Sequence, residues 1–339
     1  VAILPLLGIG GRQMFKAETP GPMKDSKMTP RMAETAKGLW AVYTLISICC
    51  TLGYRWAGMT WLDAIMHMFS TMGLGGFSSH DASFGFFDSP AIELVSIAFM
   101  LIAGCNFATH YLVLSGRSLR PYVTDPEAGA FLLVTLGSVV GIAIFLDVHE
   151  VYPAFSEALR YSAFNVVSIA TTTGYANTDY ALWPMFAPLW MLFLSSFATS
   201  AGSTGGGIKM IRAIVLYKQV YRELTRAMHP NAVHLVKIGN EVIPPNILFA
   251  VLAFGFVYMV CIVSMTLALS FSGLEIITSF SAVVASINNT GPGLGQVGPA
   301  NNFGGLTDFQ TWVCTIAMLL GRLEIFTLLV VITPAFWRK

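Results

Sequence analysis

The chain has 339 residues, 55% of them hydrophobic and 11% charged, where soluble domains carry roughly 25% charged residues. That composition excludes a soluble globular protein and specifies a membrane protein, while a net charge of +1 gives no bulk basicity for nucleic acid. The five cysteines, Cys49, Cys50, Cys105, Cys261 and Cys314, sit in apolar segments without CxxC spacing, so they read as packing residues and support neither a disulfide framework nor a zinc site.

Val1 to Gly11 is apolar but has no basic lead-in and no small-residue cleavage site, so it reads as the end of a helix and not as a signal peptide. A polar connector follows at 12–37, with prolines at 20, 22 and 30 that keep it from being one helix. Gly38 to Ala57 is the first apolar run of about the 20 residues that cross a bilayer core. A shorter block, Trp61 to Ser70, leads into a glycine-rich turn at Thr71 to Asp81, and Pro90 opens a second long run through Ala91 to Leu114. Within that run Gly104, Cys105 and Asn106 form a small, polar notch.

After a link at Ser115 to Glu127 the same parts recur. Ala128 to Asp147 is a span, Phe155 to Ala170 a short helix, Thr172 to Asp179 a polar turn, and Met185 to Ala201 a span running into Gly202-Ser203-Thr204-Gly205-Gly206-Gly207. A basic stretch, Lys209 to Lys237, separates this from a third copy: span Asn246 to Phe271, short helix Leu274 to Ile287, turn Asn288 to Gly295, and last span Phe309 to Pro334. From the turn glycine to the glycine in the following span the spacing is 28 residues (Gly76 to Gly104), 28 (Gly174 to Gly202) and 30 (Gly291 to Gly321). Asp81 and Asp179 each follow their turn glycine by five residues. The predicted units are therefore 1–11, the end of a helix; 12–37, a connector; 38–114, a pore unit; 115–127, a connector; 128–221, a pore unit containing 202–207; 222–245, a connector; and 246–339, a pore unit.

Lysine and arginine gather on the cytoplasmic side of short loops. The segments 12–37, 115–127 and 208–245 and the tail hold six, two, six and two of them, 16 of the 19 in the chain. The polar turns then enter from outside, where Asp63, Asp81, Asp88, Glu93, Asp147, Glu150, Glu157, Asp179, Glu275 and Asp308 are expected to form an acidic vestibule that concentrates cations. A re-entrant turn must be enclosed by protein or line a polar cavity, and glycines there can aim carbonyls at a dehydrated cation. The candidate filter residues are Gly75, Gly76, Thr173, Gly174, Thr290 and Gly291, acting through the main chain, against the plainer alternative of glycine-rich extracellular turns.

The motifs ATTTGYANTD (170–179), GSTGGGIKMIR (202–212) and LLGRLEIF (319–326) resemble the Trk/Ktr/HKT superfamily of potassium transporters, most closely its bacterial TrkH-type subunits. The resemblance implies an all-α membrane fold of helix, pore helix, filter loop and helix, repeated pseudo-fourfold around a cation pore as in potassium channels. It implies that the chain holds the second to fourth of four such units. It further implies K+ as the transported ion with no covalent cofactor, a bacterial inner-membrane location with several passes, a homodimer in membrane lipid, and regulation by a cytosolic nucleotide-binding ring of the TrkA type docking on the basic stretch with Arg222, Arg226 and His229. Nucleic acid and enzymatic chemistry are not expected.

Four glycines in Gly202 to Gly207 cost roughly 1 kcal/mol each in a helix interior, so this segment breaks its span. It fails as a phosphate loop because Gly207 is followed by Ile208, Lys209 and Met210 and not by Gly-Lys-Ser/Thr. The resemblance makes Gly202, Ser203, Thr204, Gly205, Gly206 and Gly207 an intramembrane gate beneath the filter; a kink for close helix packing is the alternative. Arg322, a charge within an apolar span, must face protein or water. By resemblance it is a positive charge below the filter that limits cation residence, and the alternative is an arginine capping loop carbonyls. Glu324, two residues on, does not share its helical face. An ion-coupled secondary transporter is the rival function, since broken helices also mark those, and a multi-spanning enzyme has only Arg322 and Glu324 to draw on.

Overall fold

The computed structural model describes residues 32–231, 235–239, 241–323 and 325–337; the expected leading helix end at 1–11, most of the first connector and Glu324 lie outside them. Helix α1 (Met32–Trp56) absorbs the first long apolar run and is followed by the short α2 (Trp61–Gly73). Thr60 starts α2 by accepting the Asp63 N–H on its hydroxyl. The second long run does not form one span. It divides into α3 (Pro90–Gly104) and α4 (Phe107–Gly116), bent by 96° at Cys105-Asn106. The physical reason is the notch: Asn106 caps α4 by accepting the Ala108 N–H, and His110 bonds the Ile102 carbonyl, which also takes the Cys105 N–H at the end of α3.

The short helix α5 (Arg120–Thr124) leads to α6 (Pro126–Val148), where Asp125 accepts the N–H groups of Glu127 and Ala128 and Pro126 occupies the first helical position. Glu127, counted in the connector by sequence, is thus inside a helix. Helix α7 (Phe155–Ala170) matches the predicted short helix residue for residue, and α8 (Phe186–Ser195) is only the first half of the expected span. The chain is non-helical from 196 to 209, then forms α9 (Met210–Met228), which crosses the expected boundary at 221. A two-residue ribbon, β1 (Lys237–Ile238) antiparallel to β2 (Glu241–Val242) with Lys237 opposite Val242, precedes α10 (Pro245–Phe271). The last unit continues with α11 (Ile276–Ile287), α12 (Asp308–Arg322), α13 (Ile325–Ile332) and α14 (Pro334–Trp337). Helix α12 opens on a reciprocal capping box between Thr307 and Gln310.

Burial separates two kinds of helix. The segments of α1, α6 and α10 long and apolar enough to cross a membrane, Ala36–Trp56, Pro126–Val148 and Pro245–Phe271, leave leucines, isoleucines and phenylalanines such as Leu45, Leu52, Leu133, Ile144, Phe249 and Phe256 exposed, as lipid contact requires. Helices α7 and α11 are instead enclosed: every residue from Phe164 to Ala170 and from Ser281 to Ile287 is buried. Their small Ser and Ala side chains let neighbouring backbones approach closely. Between the first two units Arg160 of α7 donates to the buried Glu93 of α3 (2.8 Å) and to Asp88 (2.8 Å). Two of the acids expected in an outer vestibule are therefore neutralised locally, and of the ten only Asp81 lines the central cavity.

Candidate functional site

Each of the short helices α2, α7 and α11 ends in a turn of the same geometry. The N–H of the residue before the turn glycine reaches back five residues, Gly75 to the Ser70 carbonyl (2.8 Å), Thr173 to Ser168 (2.8 Å) and Thr290 to Ala285 (2.9 Å). The residue before that reaches back three: Leu74 to Thr71 (3.2 Å), Thr172 to Ile169 (3.0 Å), Asn289 to Ser286 (3.0 Å). Positive φ recurs at every second position, Leu74 and Gly76 (49° and 69°), Thr172 and Gly174 (60° and 88°), Asn289 and Gly291 (55° and 99°). Left-handed Leu and Thr are uncommon and cost roughly 1–2 kcal/mol each. Three such pairs in register mark a repeated backbone device.

The turns also pack in sequence around one centre. A Cβ on Gly76 would collide with the Thr173 carbonyl, and a Cβ on Gly174 with the Thr290 carbonyl, so each carbonyl of one turn lies against the glycine of another. An added Cβ at Gly291 meets nothing within 4 Å. Side chains fix the turns from behind. Ser168 donates to the Tyr175 carbonyl (2.7 Å), and Thr71 bonds both Tyr54 (2.7 Å) and Tyr175 (3.3 Å), which joins the first turn to the second. Ser281 accepts the Leu294 N–H (2.8 Å) in the third.

A cavity of about 830 Å³ runs from these turns to the broken helices. Gly75, Gly76, Gly174, Thr290 and Gly291 line it above, and Thr204, Gly206 and Arg322 line it below. Thr173 is fully buried, its hydroxyl bonded to Thr171 (2.7 Å) and its carbonyl turned to Gly76. The glycine-rich segment is tied directly to the turns: the Gly206 N–H donates to the Thr172 hydroxyl (2.8 Å), and the Thr204 hydroxyl donates to the Met72 carbonyl (3.0 Å). Gly206 passes so close to the Asn288 carbonyl that a Cβ would overlap it. Arg322 Nη1 donates to the Thr204 carbonyl (3.0 Å), and Lys209 reaches the next carbonyl, that of Gly205. Two cations thus hold two successive carbonyls of the loop.

The whole chain, residues 1–339, matches the family model described as TrkH, cation transport protein. The chain belongs to the TrkH family. It is 48% identical over 339 residues to the Trk system potassium uptake protein TrkH of Salmonella typhimurium, covering all of this chain and 70% of that protein. The Trk system potassium uptake protein TrkG of Escherichia coli is 39% identical over 342 residues, with 69% of that protein covered. The crystal structure of the potassium transporter TrkH from Vibrio parahaemolyticus matches with a TM-score of 0.87 at 44% identity, covering 99% of this chain and 69% of that one. As a TrkH-family member the chain is an all-α membrane transport protein and not an enzyme.

Within this TrkH-family chain Arg322 is not in the middle of a span, as its sequence context suggests, but is the last residue of α12, where the second helix of the last described unit breaks. The span expected at Met185 to Ala201 ends at Ser195, and polar groups at and after that end bond to other segments instead of continuing the helix. Ser195 and Ser196 accept from the Asn288 amide (2.9 and 3.2 Å), and the Thr199 hydroxyl donates to the Gly206 carbonyl (2.7 Å). Residues that sequence reasoning missed are Thr172, Lys209 and Asn288. Thr172 and Asn288 belong to polar turns already singled out; Lys209 reads as one more cytoplasmic cation, and only the fold returns its ammonium to Gly205.

Proposed function

We propose that the chain conducts K+ through a pore whose filter is made of the main chain at Gly75, Gly76, Thr173, Gly174, Thr290 and Gly291. The observation that carries this is the set of three turns with alternating left-handed residues, two of whose glycines lie against a carbonyl of another turn at one cavity. Carbonyls so placed replace the hydration shell of a cation. Each turn follows the C-terminus of a short helix, whose dipole carries about half a negative charge there and favours a cation without fixing it. The relatives named as Trk system potassium uptake proteins supply the ion. The units 38–114, 128–221 and 246–339 form three of four pore walls, in a homodimer spanning the bacterial inner membrane several times.

The loop Gly202, Ser203, Thr204, Gly205, Gly206 and Gly207, together with Arg322, is the gate beneath that filter. It lies across the lower end of the cavity, held by Thr172, Thr204, Lys209 and Arg322. A cytosolic TrkA-type nucleotide-binding ring is proposed to move it through α9, which leaves the loop directly and carries Arg222 and Arg226 at its far end. Rubidium uptake by a bacterium lacking its own potassium uptake, complemented with the full-length protein, tests the proposal: Gly174→Ala must abolish uptake while the protein stays in the membrane. Normal uptake by that variant rejects the filter. The broken second helices also fit an ion-coupled transporter, and K+ uptake that persists with Na+ and proton gradients collapsed separates permeation from coupling.

A further inference from the structure

Glu127 lies in the first turn of α6, remote in sequence from every motif that points to transport, and its side chain is buried. One oxygen, Oε1, accepts the N–H of Ala201 at 2.6 Å and the N–H of Ile211 at 3.0 Å. Ala201 is the residue before Gly202, and Ile211 stands in the first turn of α9, immediately after the loop. The intramembrane loop therefore begins and ends on a single carboxylate oxygen. Both amides need an acceptor: Ala201 lies in a non-helical stretch, and Ile211 is among the first-turn donors that no helix satisfies internally. A carboxylate suits them, because hydrogen bonds to a charged acceptor are stronger than neutral ones and a helix N-terminus favours negative charge. Asp125, two residues earlier, fixes the backbone that presents Glu127. It accepts the Glu127 N–H (2.9 Å) and takes the Thr109 hydroxyl (2.9 Å) from α4, beyond the break of the first described unit.

We infer that Glu127 is the positioning residue that holds the glycine loop in its blocking position, an inference that rests on the gate proposed above. Removing the shared acceptor frees both feet of the loop at once, while the bonds that build the filter turns do not involve Glu127. The expected signature is a gating change without a selectivity change.

The test uses the full-length protein in cells lacking other potassium uptake, with and without its cytosolic regulator, and reads rubidium flux, the K+ to Na+ flux ratio and membrane abundance. Glu127→Ala is expected to raise regulator-independent rubidium flux about tenfold, the factor that corresponds to ~1.4 kcal/mol of closing free energy, with the flux ratio unchanged. Glu127→Asp, one methylene too short to reach both amides, moves the same way. Glu127→Gln keeps Oε1 as an acceptor and restores flux to within about twofold of wild type, since its amide retains neutral hydrogen bonds. Wild-type flux in the Ala and Asp variants overturns the inference, and so does loss of both from the membrane, which would assign Glu127 to folding alone. Arg322→Ala in parallel separates the two levels: if it raises flux and Glu127→Ala does not, only this inference falls, whereas silence in both removes the gate itself.

Discussion

The three turns of this chain are alike, and the three second helices that follow them are not. All three turns share their back-bonding and their left-handed positions. Below them the first described unit breaks over Cys105-Asn106 with a 96° bend, and the last breaks after Arg322. The middle unit unwinds from 196 to 209 and places the loop across the cavity. The difference teaches that the turn of the repeat is constrained alike in every described copy, as the proposed filter requires if each copy supplies one wall. The glycine at the weak point underneath recurs 28 to 30 residues after the turn glycine, but the break is elaborated only once. Under the function proposed above, selection is shared among the units and control is given to one.

Substitutions in the turns should break this symmetry most severely. Gly174→Ala places a methyl on the Thr290 carbonyl and forces φ of 88° on alanine. Uptake should fall at least about 100-fold, since ~2.8 kcal/mol already gives that factor. Gly76→Ala should behave alike because its methyl meets the Thr173 carbonyl, while Gly291→Ala, which meets nothing within 4 Å, should lose less. Rubidium uptake normalised to membrane abundance checks the order, and equal losses at all three positions would mean that strain and not packing decides. Next comes the loop. Gly206→Ala drives a methyl into the Asn288 carbonyl and should dislodge the gate, raising regulator-independent flux about tenfold. The same measurement on Gly104→Ala, in the unelaborated break, should show no rise, since its methyl would meet the Phe131 ring at 2.9 Å and not the loop.

Arg322→Ala ranks below these. It removes one charged hydrogen bond to Thr204 and leaves Lys209 on the neighbouring carbonyl, so flux should rise about threefold to tenfold, in keeping with the loss of roughly 1 kcal/mol of loop anchoring. A fall in flux in a stable protein would reject a barrier role for its charge.

Much of this was legible in the sequence because the repeat is periodic. Apolar runs of bilayer length, short helices and glycine turns recur in the same order, with 28, 28 and 30 residues from each turn glycine to the glycine of the following span, and α7 spans the expected short helix at both ends. What the sequence hid depends on contacts between units. Ala91 to Leu114 is apolar enough to read as one span despite its notch at Gly104 to Asn106, and its break is fixed by Asn106 and His110 bonding backbone groups in a way that composition does not reveal. Arg322 looked like a buried charge in mid-span because the helix end beside it is created by packing: a Cβ at Gly321 would strike the Ile287 carbonyl. Glu127 reads as the last residue of a connector, since Ala201 and Ile211 are more than seventy residues away in sequence.

The smallest expected effect concerns the joint between a uniform turn and the elaborated break. Tyr258 of α10 donates to Asn288 Oδ1 at 2.7 Å, and the Asn288 amide in turn donates to Ser195 and Ser196, where the middle unit stops being helical. The last described unit's turn and the start of the middle unit's break therefore share one asparagine. Tyr258→Phe keeps the ring and leaves Oδ1 without its donor, at a cost of about 1–2 kcal/mol for a buried acceptor. In membranes such bonds average nearer ~0.6 kcal/mol. The thermal midpoint in detergent should drop slightly and flux should change by no more than about threefold, because the amide side of Asn288 still holds the serines. If flux instead rises as far as in Gly206→Ala, the break is held by the last described unit's turn more than by its own loop bonds, and the division between shared selection and local control is less sharp than the geometry suggests.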